Sequence, residues 1–410
     1  MPVTGSAVSG LNIQAKVPFG LDEISSEWLN TVLSESGVLG DGRVVSVESR
    51  VIGQETGFMG DIAILTPTYD NAPPSAPSTL VAKVPSSLKN RVMGQLIGAY
   101  EKEIRFYSLL RPEVPVRTPG CYYSALSEAD DPEVIKARLE KLKSAPIWLI
   151  AIAGLFFTVL YRLLPRRYIL LIEDLSTYRL GDQSSGCSEA DLHTALKAMA
   201  SLHARFWNAG DLDDLPWIAS VELMSKMIHM TYLQSIGGYL KSATLDERQR
   251  RMHDWLKENG VALNDRLATG PQTLLHGDFR VDNLCFDDKE GEMVLLDWQT
   301  MTQGSPALEL AYFLSNALPP DTGPEQDAAM IEVYRAALAE HGIEVSQAWL
   351  TAEYNIGMMA MLQRISPLLF QEQLDLGNAR GPQVMQGWLD RIYERLASVD
   401  FESLLAQQDA

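Results

Sequence analysis

Leu275-His276-Gly277-Asp278-Phe279-Arg280-Val281-Asp282-Asn283, followed closely by Leu295-Leu296-Asp297-Trp298, is the part of this chain whose reading decides its architecture. Asp278 and Asn283 stand five residues apart, and Asp297 lies nineteen beyond Asp278. This order suits a loop carboxylate that takes the proton of an attacking hydroxyl, a loop amide that holds Mg²⁺, and a second carboxylate that holds the metal from the other side. Between the last two, Leu284-Cys285-Phe286-Asp287 and Met293-Val294-Leu295-Leu296 flank Asp288-Lys289-Glu290-Gly291 and read as strand, turn, strand. Such a hairpin returns Asp297 to the side of Asn283. His276 belongs to the motif with the expected task of orienting the loop.

Working towards the N-terminus, Ile169-Leu170-Leu171-Ile172-Glu173-Asp174-Leu175 is an apolar strand with a polar exit, and Leu196 to Trp207 has a helical apolar face on which His203 reads as a core histidine. Leu80-Val81-Ala82-Lys83-Val84 places a lysine in a buried strand, which is unfavourable unless the charge is paired. Glu103 is the expected partner, on the helix Ala99 to Tyr107, with Glu101 as its rival. Arg43 to Ile52 alternates β-branched and polar residues as a half-buried strand does, and Ile62 to Thr68 follows as its neighbour. The turn between them includes Gly57, Phe58, Met59 and Gly60, a glycine-bearing bend whose backbone N–H groups suit phosphate, although the spacing is equally that of an ordinary hairpin. Before it, Ser25 or Ser26 is the expected cap of a short helix through Trp28, Leu29, Val32 and Leu33.

Composition narrows the class. A chain of 410 residues favours two lobes over one core. With 46% hydrophobic and 21% charged residues it is globular. Its 34 Lys and Arg against 53 Asp and Glu give a net charge of −19, which argues against nucleic acid as a partner. Cys121, Cys187 and Cys285 lack metal-ligand spacing and read as free thiols in a reducing compartment. Residues 1–18 read as a flexible lead-in without the pattern of a signal peptide, and the expected location is cytoplasmic.

As a set, these residues resemble the aminoglycoside and choline phosphotransferase-like superfamily, whose loop reads His-Gly-Asp where protein kinases usually have His-Arg-Asp. Within it the chain is most similar to the ecdysteroid kinase-like group, through Phe106-Tyr107 after the helix glutamate, Glu173-Asp174-Leu175, and Leu202-His203-Ala204-Arg205-Phe206-Trp207. The match runs from about residue 40 to 315. It implies an α+β, bilobal protein-kinase-like fold. A small antiparallel-sheet N-lobe would span 19–172 and a mostly helical C-lobe 173–410. It also implies ATP and Mg²⁺ as cofactors. Lys83 would bind phosphates, with Gly57, Phe58, Met59 and Gly60 over them and Glu103 holding the lysine. Glu173, Asp174 and Leu175 would form the hinge at adenine, Asp278 would be the base, and Asn283 and Asp297 would hold Mg²⁺. One departure is Glu309-Leu310-Ala311, where members often have Asp-Leu-Ala.

A larger departure is an insertion over about 127–167. Its sixteen residues Pro146 to Tyr161 contain no charge. As a helix they reach about 24 Å, short of the ~30 Å hydrocarbon core, so burial, self-association and attachment to the inner membrane surface are the expectations in place of a crossing. The acceptor is expected to be a small alcohol, with a lean towards a lipophilic one. Met224, Met227, Met230, Met358, Met359, Met361, Trp217 and Tyr232 suit either an adaptable apolar pocket or plain helix core. Aminoglycoside, choline and hydroxyacyl-thioester acceptors remain alternatives. A catalytically inactive binding or membrane-anchoring module is the reading from another class, and the joint presence of Lys83, Asp278 and Asp297 argues against it. No Ala-Pro-Glu segment follows Asp297, which argues against a protein kinase.

Overall fold

Ser25 accepts the Trp28 N–H with its hydroxyl at 3.2 Å and so starts α1 (Ser26–Glu35), which buries Leu29, Val32 and Leu33. The computed structural model describes residues 16–52, 60–85, 88–318, 322–370 and 380–406, and its chain divides into two compact units.

The first unit comprises residues 1–113, 118–135 and 148–178. Beyond α1 it holds β1 (Arg43–Ile52), β2 (Gly60–Asp70), β3 (Leu80–Pro85), α2 (Leu88–Leu96), α3 (Ala99–Arg105), β4 (Cys121–Leu126), the start of α4 (Pro132–Ser144), most of α5 (Ile147–Leu163) and β5 (Tyr168–Glu173). The strands form one antiparallel sheet in the order β1-β2-β3-β5-β4. Alternation decides what β3 does. Leu80, Ala82 and Val84 join the core that α1 covers, and Lys83 is thereby turned to the opposite face.

The second unit comprises 114–117, 136–147 and 179–410. In chain order it contains β6 (Arg179–Leu180), α6 (Glu189–Arg205), α7 (Val221–Ser242), α8 (Glu247–Leu267), β7 (Thr273–Leu275), β8 (Leu284–Asp287), β9 (Glu292–Leu295), β10 (Thr302–Gly304), α9 (Pro306–Ala317), α10 (Pro324–Glu340), α11 (Gln347–Ile365) and α12 (Arg380–Leu396). It is mostly helical, with small sheets β6-β8-β9 and β7-β10. The boundary falls after Tyr178, beyond the expected 172, because Arg179 and Leu180 pair with Phe286 and Cys285 of β8. The insertion forms α4 and α5, and residues 136–147 pack with this larger unit, beyond the N-lobe limits expected for them.

Met358, Met359 and Met361 are fully buried on α11, and the Tyr232 hydroxyl bonds to His253, so these residues are helix core. The free thiols of Cys187 and Cys285 are buried, and burial pushes them up to about 12 and about 11. No helix among the described residues is long and apolar enough to cross a membrane.

Candidate active site

The loop after β7 is built around two backbone constraints. Gly277 has φ +81°, and a Cβ there would stand 2.2 Å from the Thr300 carbonyl oxygen. Both facts demand glycine, which gives a physical reason for His-Gly-Asp in this chain. His276 then links the two ends of the motif. Its Nε2 donates to the Leu296 carbonyl at 2.8 Å, and its Nδ1 accepts the Asp278 N–H at 3.3 Å. The ring lies edge-on to Trp298 with centroids 4.8 Å apart. This is the orienting task expected of it.

Asp278 is held by three donors. Tyr312 Oη donates to Oδ1 at 2.5 Å, while Arg280 Nε and Asn283 Nδ2 reach Oδ2 at 3.3 and 2.9 Å. Burial opposes the Arg280 charge, yet the neighbouring carboxylates of Asp278, Asp282 and Asp297 outweigh it and raise its pKa. Asn283 also donates to the Asp278 carbonyl at 2.9 Å, so its amide nitrogen is committed and Oδ1 is the atom it can offer a cation. The hairpin of β8 and β9, in register Leu284 with Leu295, brings the Leu296 N–H to the Asn283 carbonyl at 2.9 Å. Asp297 follows in the left-handed region, φ 62° and ψ 73°. A non-glycine residue held there is strained, and such strain collects at functional positions. A carboxylate and an amide oxygen fit Mg²⁺, which keeps several waters and takes its remaining oxygens from phosphates.

Glu309 anchors the loop from α9. Oε1 accepts the Gly277 N–H at 2.7 Å, and Oε2 accepts the His276 N–H at 3.1 Å. His203 Nε2 lies 2.9 Å from Oε2, and its Nδ1 lies 2.7 Å from the Tyr334 hydroxyl, so His203 is the satisfied core histidine expected.

In the other unit, Lys83 Nζ donates to Glu103 Oε1 at 2.9 Å, both side chains being buried, and the Tyr168 hydroxyl donates to Glu103 Oε2. The rival Glu101 pairs instead with Arg105 and Arg166. Gly60 opens β2 opposite Pro85, and a Cβ on it would lie 3.3 Å from Lys83 Cγ. Gly57, Phe58 and Met59 lie outside the described residues. Glu173 ends β5 and accepts the Gly120 N–H at 2.9 Å, Asp174 accepts the Ser176 N–H, and Leu175 is buried.

Two residues escape sequence reasoning, Arg280 and Tyr312. Tyr312 lies three positions after Glu309, on the same face of a mostly apolar helix, and that phase is the signal that could have found it.

Residues 157–343 match the phosphotransferase enzyme family. The matched stretch includes Asp278, Asn283 and Asp297, so the resemblance to phosphotransferases holds where the loop and hairpin lie. Human acyl-CoA dehydrogenase family member 11 is 38% identical over 65 residues, covering 16% of this chain and 8% of the human protein. Its chicken counterpart (Gallus gallus) is 45% identical over 110 residues, covering 23% and 14%. The alignments thus span a small part of either relative. Among solved structures, a choline/ethanolamine kinase family protein of Mesorhizobium loti is 14% identical, with 88% of this chain and 91% of that one superposed and a TM-score of 0.47.

Proposed function

We propose that this chain is an ATP- and Mg²⁺-dependent phosphotransferase that moves the γ-phosphoryl group to the hydroxyl of a small, lipophilic molecule. The observation that supports it most is the three-donor clamp on Asp278 beside an Asn283 whose free oxygen and an Asp297 whose strained backbone suit a metal. In the reaction, the acceptor oxygen attacks the γ-phosphorus, the bond to the leaving diphosphate oxygen breaks, and the hydroxyl proton passes to Asp278. Arg280, Asn283 and Tyr312 set the plane in which the carboxylate meets that hydroxyl. Asn283 and Asp297 would hold the Mg²⁺, which neutralises developing charge on the phosphate oxygens. Lys83, kept extended by Glu103, would bind the nucleotide phosphates, and the backbone of Glu173, Asp174 and Leu175 would bind adenine.

For the acceptor, the acyl-CoA dehydrogenase names of the relatives favour an alcohol borne on an acyl chain, such as a hydroxyacyl thioester, within the lipophilic class. Phosphoryl transfer from ATP with Mg²⁺ across hydroxyacyl thioesters, sterols, terpenoid alcohols, choline and aminoglycosides tests the reading. One acceptor class should be phosphorylated, and Asp278→Asn should abolish turnover while Mg²⁺-ATP still binds. Failure of the chain to bind Mg²⁺-ATP would overturn the assignment.

A further inference from the structure

The sequence of α5 is apolar all round, but its two faces are treated differently. Ile150 is buried, and Phe157 stacks on Tyr161 with centroids 5.8 Å apart on the protein side. On the other side Trp148, Ile152, Leu155, Phe156, Val159 and Leu163 are between 52% and 73% exposed. Their spacing is that of one helical face. An exposed apolar strip of this kind marks an interaction surface.

The charge around it selects the partner. From 141 to 172 there is no Asp or Glu, in a chain that has 53 of them. The same stretch contains Lys141, Lys143, Arg162, Arg166 and Arg167. Arg166 is held by Asp130 at 2.6 Å and Arg167 by Glu23 at 3.2 Å, while Arg162 is exposed at the end of the strip. A second copy of the chain is a poor occupant. Parallel pairing of two α5 helices sets Arg162 against Arg162, and in either orientation the helix offers no Asp or Glu to meet that charge. One face of a 17-residue helix, about 25 by 10 Å, also falls well short of the ~800 Å² per partner of a stable dimer. A surface of anionic phospholipid meets both demands, with acyl chains for the strip and headgroups for Arg162.

We propose that α5 docks in the plane of an anionic phospholipid bilayer, inserting its exposed face to the depth of the headgroup–acyl boundary and contacting headgroups through Arg162. The inference stands apart from the phosphotransferase reading and is tested without activity. The full chain is sedimented with vesicles of phosphatidylcholine alone and of phosphatidylcholine mixed with phosphatidylserine, at low and high salt, with size-exclusion chromatography in parallel. The expected result is binding to the mixed vesicles only, weakened by salt and by Arg162→Glu, and reduced at least roughly tenfold by Leu155→Asp with Phe156→Asp. Leu155→Ser, with the circular dichroism melt of each variant, separates lost docking from lost folding. Absence of binding to mixed vesicles, binding indifferent to the α5 substitutions, or a dimer that these substitutions dissociate without any vesicle binding would each overturn the proposal.

Discussion

The Tyr312 phenol donates to Oδ1 of Asp278 across 2.5 Å, so the carboxylate at the centre of the loop is fixed from α9 as well as from its own loop. Burial, with the Asp278 carboxylate beside it, raises the phenol pKa well above its ordinary value and keeps it a donor. Tyr312→Phe retains the ring packed edge-on against Trp388 and removes only this bond. A hydrogen bond to a charged group contributes about 1.5–3 kcal/mol, so kcat should fall roughly ten- to hundredfold. Nucleotide affinity should stay near wild type, which steady-state kinetics with a reactive acceptor and a nucleotide titration would check together.

Asp297 offers a way to separate charge from backbone. Asparagine tolerates the left-handed region and alanine does not, so Asp297→Asn should weaken Mg²⁺-nucleotide binding while leaving the ligand-free melting temperature nearly unchanged. Asp297→Ala should lose the same binding and, in addition, about 1 kcal/mol of stability. Thermal melts with and without Mg²⁺-ATP distinguish the two.

Lys102 is buried on α3 with no ion pair among the described residues, and burial pulls its pKa down to about 8 from 10.5. At pH 7 the folded and unfolded chains both carry this proton, and only the folded one bears the desolvation of the charge. Lys102→Met should therefore raise stability at pH 7, by up to roughly 3 kcal/mol. Between pH 8 and 10.5 the folded lysine loses its proton before the unfolded one does, so wild type should gain on the variant as pH rises. Urea unfolding at pH 7 and pH 10 measures both effects.

His253 lies in a buried network, with Nδ1 2.9 Å from the Tyr232 hydroxyl and Nε2 2.5 Å from that of Tyr393. Burial holds it at about 4, well below its ordinary 6.5. The unfolded chain binds this proton first as pH falls, so His253 contributes stability that is complete above pH 6.5 and lost on the way to pH 4. The loss should approach roughly 3 kcal/mol, and His253→Phe should flatten that part of the stability profile in urea titrations while lowering stability at pH 7.

Much of the site is legible because its pieces obey local rules. A two-stranded hairpin has a set length, so the spacing from Asn283 to Asp297 can be read before any coordinates. Lys83 stands out because a cation inside Leu-Val-Ala-Lys-Val is unfavourable unless it meets an acid. Glu103 rather than Glu101 follows only from the phase of α3, which turns one acid to Lys83 and the other to Arg105 and Arg166. Tyr312 is harder to read because its contact with Asp278 depends on where α9 is set against the loop, and Arg280 because its contact depends on the path of the loop backbone between them. The same holds for α5, whose uniform apolarity cannot say which half of its surface the protein covers. Met358, Met359 and Met361 illustrate the converse, since residues suited to a pocket are equally suited to core, and three-dimensional packing decides.

Glu309 receives the N–H groups of His276 and Gly277 on one carboxylate and passes the contact to His203 and, through it, to Tyr334 on α10. The loop therefore hangs from the helical body like a part on a bracket, attached by main-chain atoms whose identity does not depend on loop side chains. Loop residues other than Gly277 and His276 can change and the loop keep its placement, provided the bracket is kept. A shortened bracket, as in Glu309→Asp, would shift every chemical group of the loop at once without changing any of them.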